Sequence, residues 1–277
     1  MNLTERAETR RETFYKLTNS ADIPEVPSGN RNLLLYTDDP FSHLNDKYYG
    51  SYNAYETSET YNGARVYKTG TAAWSKLGIN LGKHLVERGV VKIGDKLIYT
   101  VFAKTDQDTQ IKITLYVRYK GNSAAEILNG KPHEFILTKD WRKISIPFTV
   151  TEKMVAEETR VNYLGWEQTT NSESGKYVYY AGNKIEHGNV ATPYSQAPED
   201  LGWSITTLVP TQQQRYLWKF EYIYFSDGSV EVAEPVNLSI AGDKGDTGNG
   251  IANTVVTYGL SVSDTTDPAT CSSSVHS

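Results

Sequence analysis

The sequence predicts an all-β protein: an antiparallel β-sandwich or jelly roll, with a small C-terminal β-unit and a short N-terminal helical arm. Three observations carry this. Apolar and polar residues alternate with period two in Ile111–Tyr119 and Arg142–Val150, as in strands with one buried face. Short strand-like runs separated by polar turns recur through residues 31–199, the pattern of a sandwich. Helical periodicity is confined to residues 3–17 and 82–89.

From the N-terminus, Leu3, Ala7, Arg10, Phe14 and Leu17 recur at spacings of four and three, one stripe of a helix. Asn2, with Glu5 three residues on, suits its cap. A lone helix of this length is marginal in water, so the stripe needs a surface to dock on. Ile23-Pro24-Glu25-Val26-Pro27-Ser28-Gly29-Asn30 is linker chemistry. Residues 1–30 thus read as a tether docking on a partner through Leu3, Ala7, Phe14 and Leu17, or as a terminus packed loosely on its own domain.

Residues 31–199 read as one β-domain. Leu97–Lys104 is a strand. In Ile111–Tyr119, Ile111, Ile113, Leu115 and Val117 share the inner face, and Lys112, Thr114, Tyr116 and Arg118 the outer. In Arg142–Val150, Ile144, Ile146, Phe148 and Val150 point inward, and Pro147 puts the strand at an edge or a bulge. Further strands are expected at 32–36, 50–57, 64–69, 75–81, 159–167 and 177–186. Residues 200–241 read as a smaller unit, with a strand at Tyr216–Phe225, a turn at Ser226–Ser229 and a return at Val230–Val236. Residues 242–250 carry glycine at every third position (Gly242, Gly245, Gly248). That is collagen-like, but too few triplets to hold a triple helix alone; a flexible acidic hinge is the simpler reading. Residues 251–277 resemble the start of a further β-unit, too small to bury a core alone.

Composition narrows the function. Lys and Arg total 28 against 33 Asp and Glu, a net charge of −5, with no basic patch for nucleic acid. The single cysteine, Cys271, supplies neither a disulfide nor a cysteine-rich zinc site. The N-terminus has no apolar signal region, and no run approaches the ~18 apolar residues of a membrane span. The expectation is a protein made in a host cytoplasm and released in a virion. Twenty Tyr stand against seven Phe. Tyr is favoured on surfaces with one apolar and one wet side, and also in β-structure generally.

No catalytic constellation is present. The five His are dispersed, with no metal-ligand spacing. There is no phosphate loop and no G-x-S-x-G. Acid pairs such as Asp38-Asp39 and Glu157-Glu158 read as solvated surface. Asp106-Gln107-Asp108 reads equally as a polar turn or a calcium contact. The chain is therefore expected to be no enzyme, and to use no cofactor or metal. What remains is aromatic surface. Sugars offer flat apolar faces and many hydroxyls, which aromatic and polar side chains match. Strand parity puts Tyr116 and Arg118 outside, and, with Val101 and Ala103 in the core, the neighbouring strand 97–104 presents Phe102 on the same outer side. Trp74, Tyr163 and Trp166 are further candidates, each alternatively core.

Three stretches resemble the modular tail proteins of phages infecting Gram-positive bacteria. Asn32-Leu33-Leu34, Ala103-Lys104 and the closing Lys184-Ile185-Glu186-His187-Gly188-Asn189-Val190-Ala191-Thr192-Pro193-Tyr194-Ser195-Gln196-Ala197-Pro198-Glu199-Asp200 resemble the carbohydrate-binding-module-like sandwich of that family. Trp203-Ser204, Tyr216-Leu217-Trp218 and the Gly242–Gly248 triplets resemble its small repeats and collagen-like hinges. Cys271-Ser272 stands where the family usually has Trp-Ser. Size and N-terminal arm together resemble the accessory baseplate proteins of phages of lactic acid bacteria. The resemblance implies a virion tail-tip or baseplate protein that binds host cell-wall polysaccharide, with a scaffold protein as partner and no membrane insertion. It transfers no binding residues. Many such modules hold calcium through an Asp in the last strand; Tyr180-Ala181-Gly182-Asn183 has none. The alternatives are a structural spacer without a sugar site, and an accessory domain of a cell-wall hydrolase. A bacterial adhesin is opposed by the missing signal and wall anchor.

Overall fold

The computed structural model describes residues 6–70, 75–122, 124–130, 133–168, 173–241, 257–259 and 271–273. The chain divides into two units, Met1–Ile240 and Ala241–Ser277. In chain order the strands are β1 (Glu8–Thr18), β2 (Tyr49–Tyr52), β3 (Ala54–Tyr61), β4 (Ala64–Thr69), β5 (Lys76–Ile79), β6 (Lys96–Thr105), β7 (Ile111–Tyr119), β8 (Glu126–Ile127), β9 (Glu134–Leu137), β10 (Arg142–Thr149), β11 (Val161–Gln168), β12 (Val178–His187), β13 (Tyr216–Phe225), β14 (Val230–Val232), β15 (Val236–Ile240), β16 (Thr257–Gly259) and β17 (Cys271–Ser273).

Two antiparallel sheets form a β-sandwich. The first runs β10-β6-β12-β4-β3, the second β2-β5-β11-β7-β8 with β9 also on β7. One apolar core lies between them. Ile111, Ile113, Leu115 and Val117 of β7 are fully buried, as are Ile144, Ile146 and Phe148 of β10. Burying a side chain of this size stabilises by about 1.5–3 kcal/mol. Pro147 lies on β10, an edge strand, where its missing N–H is tolerated.

β6 and β7 are not neighbours. Residues 106–110 carry the chain from the first sheet to the second, so Phe102 and Tyr116 lie on outer faces of different sheets. Alternation fixes which side of its own sheet a residue takes, not which sheet it joins. Asp106 anchors the crossing: Oδ1 accepts the Tyr177 N–H at 2.6 Å and Oδ2 the Tyr179 hydroxyl at 3.1 Å. These bonds support the turn reading of Asp106–Asp108.

The N-terminal segment is a strand, not a helix. β1 pairs antiparallel with β13, which also carries β14 and β15. Phe14 is fully buried and stacks on Phe220, centroids 5.3 Å apart. Leu17, on the opposite face, lies across from Leu217. Pairing with a formed strand outweighs a helical stripe that is marginal alone. Phe14 is thus committed within this chain, and Phe14 and Leu17 lie on opposite faces of β1 rather than forming one face for a partner. Ala7 bonds to the Ser226 turn through its backbone. Leu3 lies outside the described residues.

The opening and closing motifs meet in the sandwich. The Asn32 side chain, fully buried, donates to the carbonyls of Asn183 and Ser195 and accepts the N–H groups of Leu34 and Ile185. Arg31, also buried, pairs with Glu12 of β1 at 3.0 Å and with Glu199, which Arg88 shares. Burial opposes the Glu12 charge, but Arg31 and Arg10 outweigh it and hold the carboxyl below its ordinary value. In the second unit β16 pairs with β17; the collagen-like triplets lie outside the described residues.

Candidate carbohydrate-binding face

The outer face of the second sheet is built around one tyrosine. Tyr163 of β11 lies over Gly50 of β2 and Gly78 of β5, which are directly paired. A Cβ on Gly50 would come 2.7 Å from the ring's Cε1, and one on Gly78 2.9 Å from its Cδ1. The ring can therefore rest on the sheet only because both positions lack side chains. Gly165 repeats the device: a Cβ there would come 2.9 Å from Lys76 Cδ. Lys76 reaches along this floor to pair with Glu167.

β7 adds the other side of the face. Tyr116 is opposite Gly165, and Arg118 is opposite Tyr163. Both are half-buried, and Arg118 Nε is buried without a hydrogen-bond partner among the described residues. Lys76, Tyr116, Arg118 and Tyr163 border a concavity of about 30 Å³, room for roughly one water molecule. An apolar ring face, a second ring and a half-buried guanidinium are the groups that stack a sugar and bond its hydroxyls.

The sequence-predicted residues divide as follows. Tyr116, Arg118 and Tyr163 come together on this face. Phe102 does not: it lies on the outer face of the first sheet, edge-on to Tyr61 at 5.3 Å, where Tyr61 also stacks on Trp141 at 4.3 Å. Trp166 is core, only 3% exposed, with its ring edge-on to Phe135. Its indole N–H donates to the Tyr99 hydroxyl at 3.2 Å, which satisfies the polar end internally. Trp74 lies outside the described residues. Sequence reasoning missed Lys76, Glu167 and the glycine floor. A signal existed: isolated glycines within strand-like runs mark close approach.

Among the described residues, no group of three or more His, Cys, Asp or Glu is placed to hold a metal ion. No helix among them is long and apolar enough to cross a membrane.

No protein-family model matches the chain, and no curated protein does. Among solved structures, the chain is similar to the tripod from the baseplate of bacteriophage Tuc2009, at 13% identity and TM-score 0.39, over 86% of this chain and 100% of that one. It is similar to the CBM22-1 xylan-binding domain of Paenibacillus barcinonensis at 12% identity and TM-score 0.36, over 62% of this chain and 100% of that one. A CBM4 structure aligns at 14% identity and TM-score 0.33, over 52% of this chain and 99% of that one.

Proposed function

We propose that this chain is a non-catalytic accessory protein of a phage tail tip or baseplate, binding host cell-surface saccharide through the outer face of the second sheet. The observation that carries the binding is the Tyr163 ring laid on Gly50 and Gly78, beside Tyr116 and Arg118. The virion setting rests on the resemblance of the opening and closing motifs to phage tail modules, and a baseplate scaffold protein is the partner it implies. A shallow face that stacks one ring binds weakly, on the order of millimolar to tens of micromolar, and copies on one virion supply avidity. The test is sedimentation of the intact protein with purified host cell walls. Tyr163→Ala and Arg118→Ala should each reduce the bound fraction while leaving the melting temperature nearly unchanged. Undiminished binding by both variants would move the ligand off this face.

A further inference from the structure

A second, larger concavity lies away from this face. A cleft of about 720 Å³ opens between the sandwich and the small sheet of β1, β13 and β14. Residues 89–92, 95 and 96, with Gly188 and Asn189, form one wall; Thr9, Arg10 and the hairpin 224–230 form the other. Its size lies within the about 300–1,000 Å³ of small-molecule sites, which gather where packed units meet. The walls approach closely at one point, where a Cβ on Gly188 would sit 3.7 Å from the Gly228 carbonyl oxygen.

The charge in the cleft is unevenly used. Arg10, Lys92 and Lys96 face Asp95 and Asp227. Both acids are engaged locally. Asp95 Oδ2 accepts the Lys92 backbone N–H at 2.9 Å. Asp227 Oδ1 accepts the Ser229 N–H and hydroxyl, which hold that carboxyl below its ordinary value. Arg10 is positioned from within: it pairs with Glu12, its Nη1 donates to His187 Nε2 at 2.8 Å, and it lies over the Tyr224 ring. Burial, then Arg10, pull His187 down to about 4, so the ring is neutral at pH 7 and accepts that bond. Lys92 and Lys96 are exposed, and among the described residues no carboxylate lies within ion-pair reach of either ammonium. Asn189 contributes an exposed amide beside them.

We propose that this cleft is a second binding site, for an anionic sugar or polyol whose phosphate or carboxylate is taken by Lys92 and Lys96 and whose hydroxyls meet Asn189. Lys92 and Lys96 stand on one wall of the cleft with neither ammonium in a direct ion pair, and lysine binds phosphate as a point charge. The site is separate from the Tyr163 face and needs none of its residues.

Calorimetric titration of the intact protein tests this with four probes: sn-glycerol 3-phosphate, glucuronate, inorganic phosphate and uncharged glycerol. The organic anions should bind at about millimolar Kd, and glycerol should not bind. Glycerol phosphate and glucuronate tell a phosphate-bearing from a carboxylate-bearing ligand; binding of either supports the site. Lys92→Ala/Lys96→Ala should weaken binding about tenfold or more, as should raising salt from about 50 to about 500 mM. That variant removes only exposed ammonium groups, so its melting temperature should match the parent. Tyr163→Ala should leave the titration unchanged, which separates this site from the aromatic face. Failure of both organic anions to bind, equal binding by the lysine variant, or inorganic phosphate binding as tightly as glycerol phosphate would overturn the proposal.

Discussion

Gly50→Ala is a small perturbation aimed at the Tyr163 platform. The added Cβ would stand 2.7 Å from Tyr163 Cε1 and 3.0 Å from Cζ, whereas ordinary contact begins at 3.4 Å. The far end of the ring must lift by about 0.7 Å, turning its flat face away from the sheet. Two opposing effects meet in stability. Replacing glycine restricts the unfolded chain and stabilises by about 0.4–1 kcal/mol where the backbone allows it. Overpacking against the ring costs about 1 kcal/mol or more. Gly50→Ala alone should therefore be neutral to destabilising by up to ~1 kcal/mol, a fall of at most about 2–4 °C for a unit of this size. With Tyr163→Ala already present the clash is gone, and the same change should stabilise by ~0.5 kcal/mol. The sign reversal, a coupling of about 1 kcal/mol, is the signature of direct contact. Urea melts of the four proteins in the cycle measure it, and cell-wall sedimentation of the single variant should show an affinity loss of about threefold to tenfold, the worth of one aromatic stack. Equal effects of Gly50→Ala with and without Tyr163, or full cell-wall binding by the single variant, would refute a ring held flat by the glycines.

Other substitutions probe the remaining structure. Tyr116→Ala should lower cell-wall binding while shifting the melting temperature by no more than about 1–2 °C, since a partly exposed side chain contributes little to stability; unfolding would place Tyr116 in the core. Arg31→Met leaves Glu12 with Arg10 as its remaining cation and Glu199 with Arg88, and should cost about 1–3 kcal/mol in urea melts. Burial pushes the Asp200 carboxyl up to about 7. Its folded pKa is raised, so its contribution to stability is full below the unfolded value of about 3.8 and is lost as pH rises through about 7. Asp200→Asn should therefore melt above the parent at pH 8, by on the order of 1 kcal/mol, with the margin shrinking as pH falls toward 4. A margin that grows on acidification would invert this assignment.

Much of the sandwich was legible because its strands bury one face each. Period-two alternation marked the inner residues of β7 and β10, and Pro147 marked an edge. Information that depends on strand partners was not. The β1 segment satisfied a helical spacing, yet its Phe14 is buried against Phe220 and Tyr222, residues more than two hundred positions away. β6 and β7 follow one another in sequence and join different sheets, because the crossing depends on Asp106 meeting Tyr177 and Tyr179. The site was legible in part for the same reason. Parity placed Tyr116 and Arg118 outward, but that Tyr163 lies across from Arg118 and above two glycines follows only from the pairing of four strands. Trp166 shows the limit from the other side: its indole N–H meets the Tyr99 hydroxyl across the core, which no local pattern reveals.

The contrast between the closing motif and the aromatic face explains why the first is recognisable and the second is not. Lys184 is fully buried, and its ammonium sits among oxygens of Thr192, Pro193, Ser195 and Glu186. Glu186 in turn accepts the Thr192 N–H. Burial pulls the Lys184 pKa down, and Glu186 opposes that shift. Asn32, Lys184 and Glu186 direct their polar atoms at fixed internal partners, and Glu199 Oε1 takes both Arg31 and Arg88, so each position demands one residue type. A motif of that kind fixes the fold and is silent about ligands. The second sheet's outer face is the reverse. Among the described residues Arg118 Nε has no hydrogen-bond partner, and Tyr163 needs only absent side chains beneath it. Such a surface can exchange one aromatic or cation for another without disturbing the core, so its ligand is written in the arrangement of the strands rather than in a readable run of sequence.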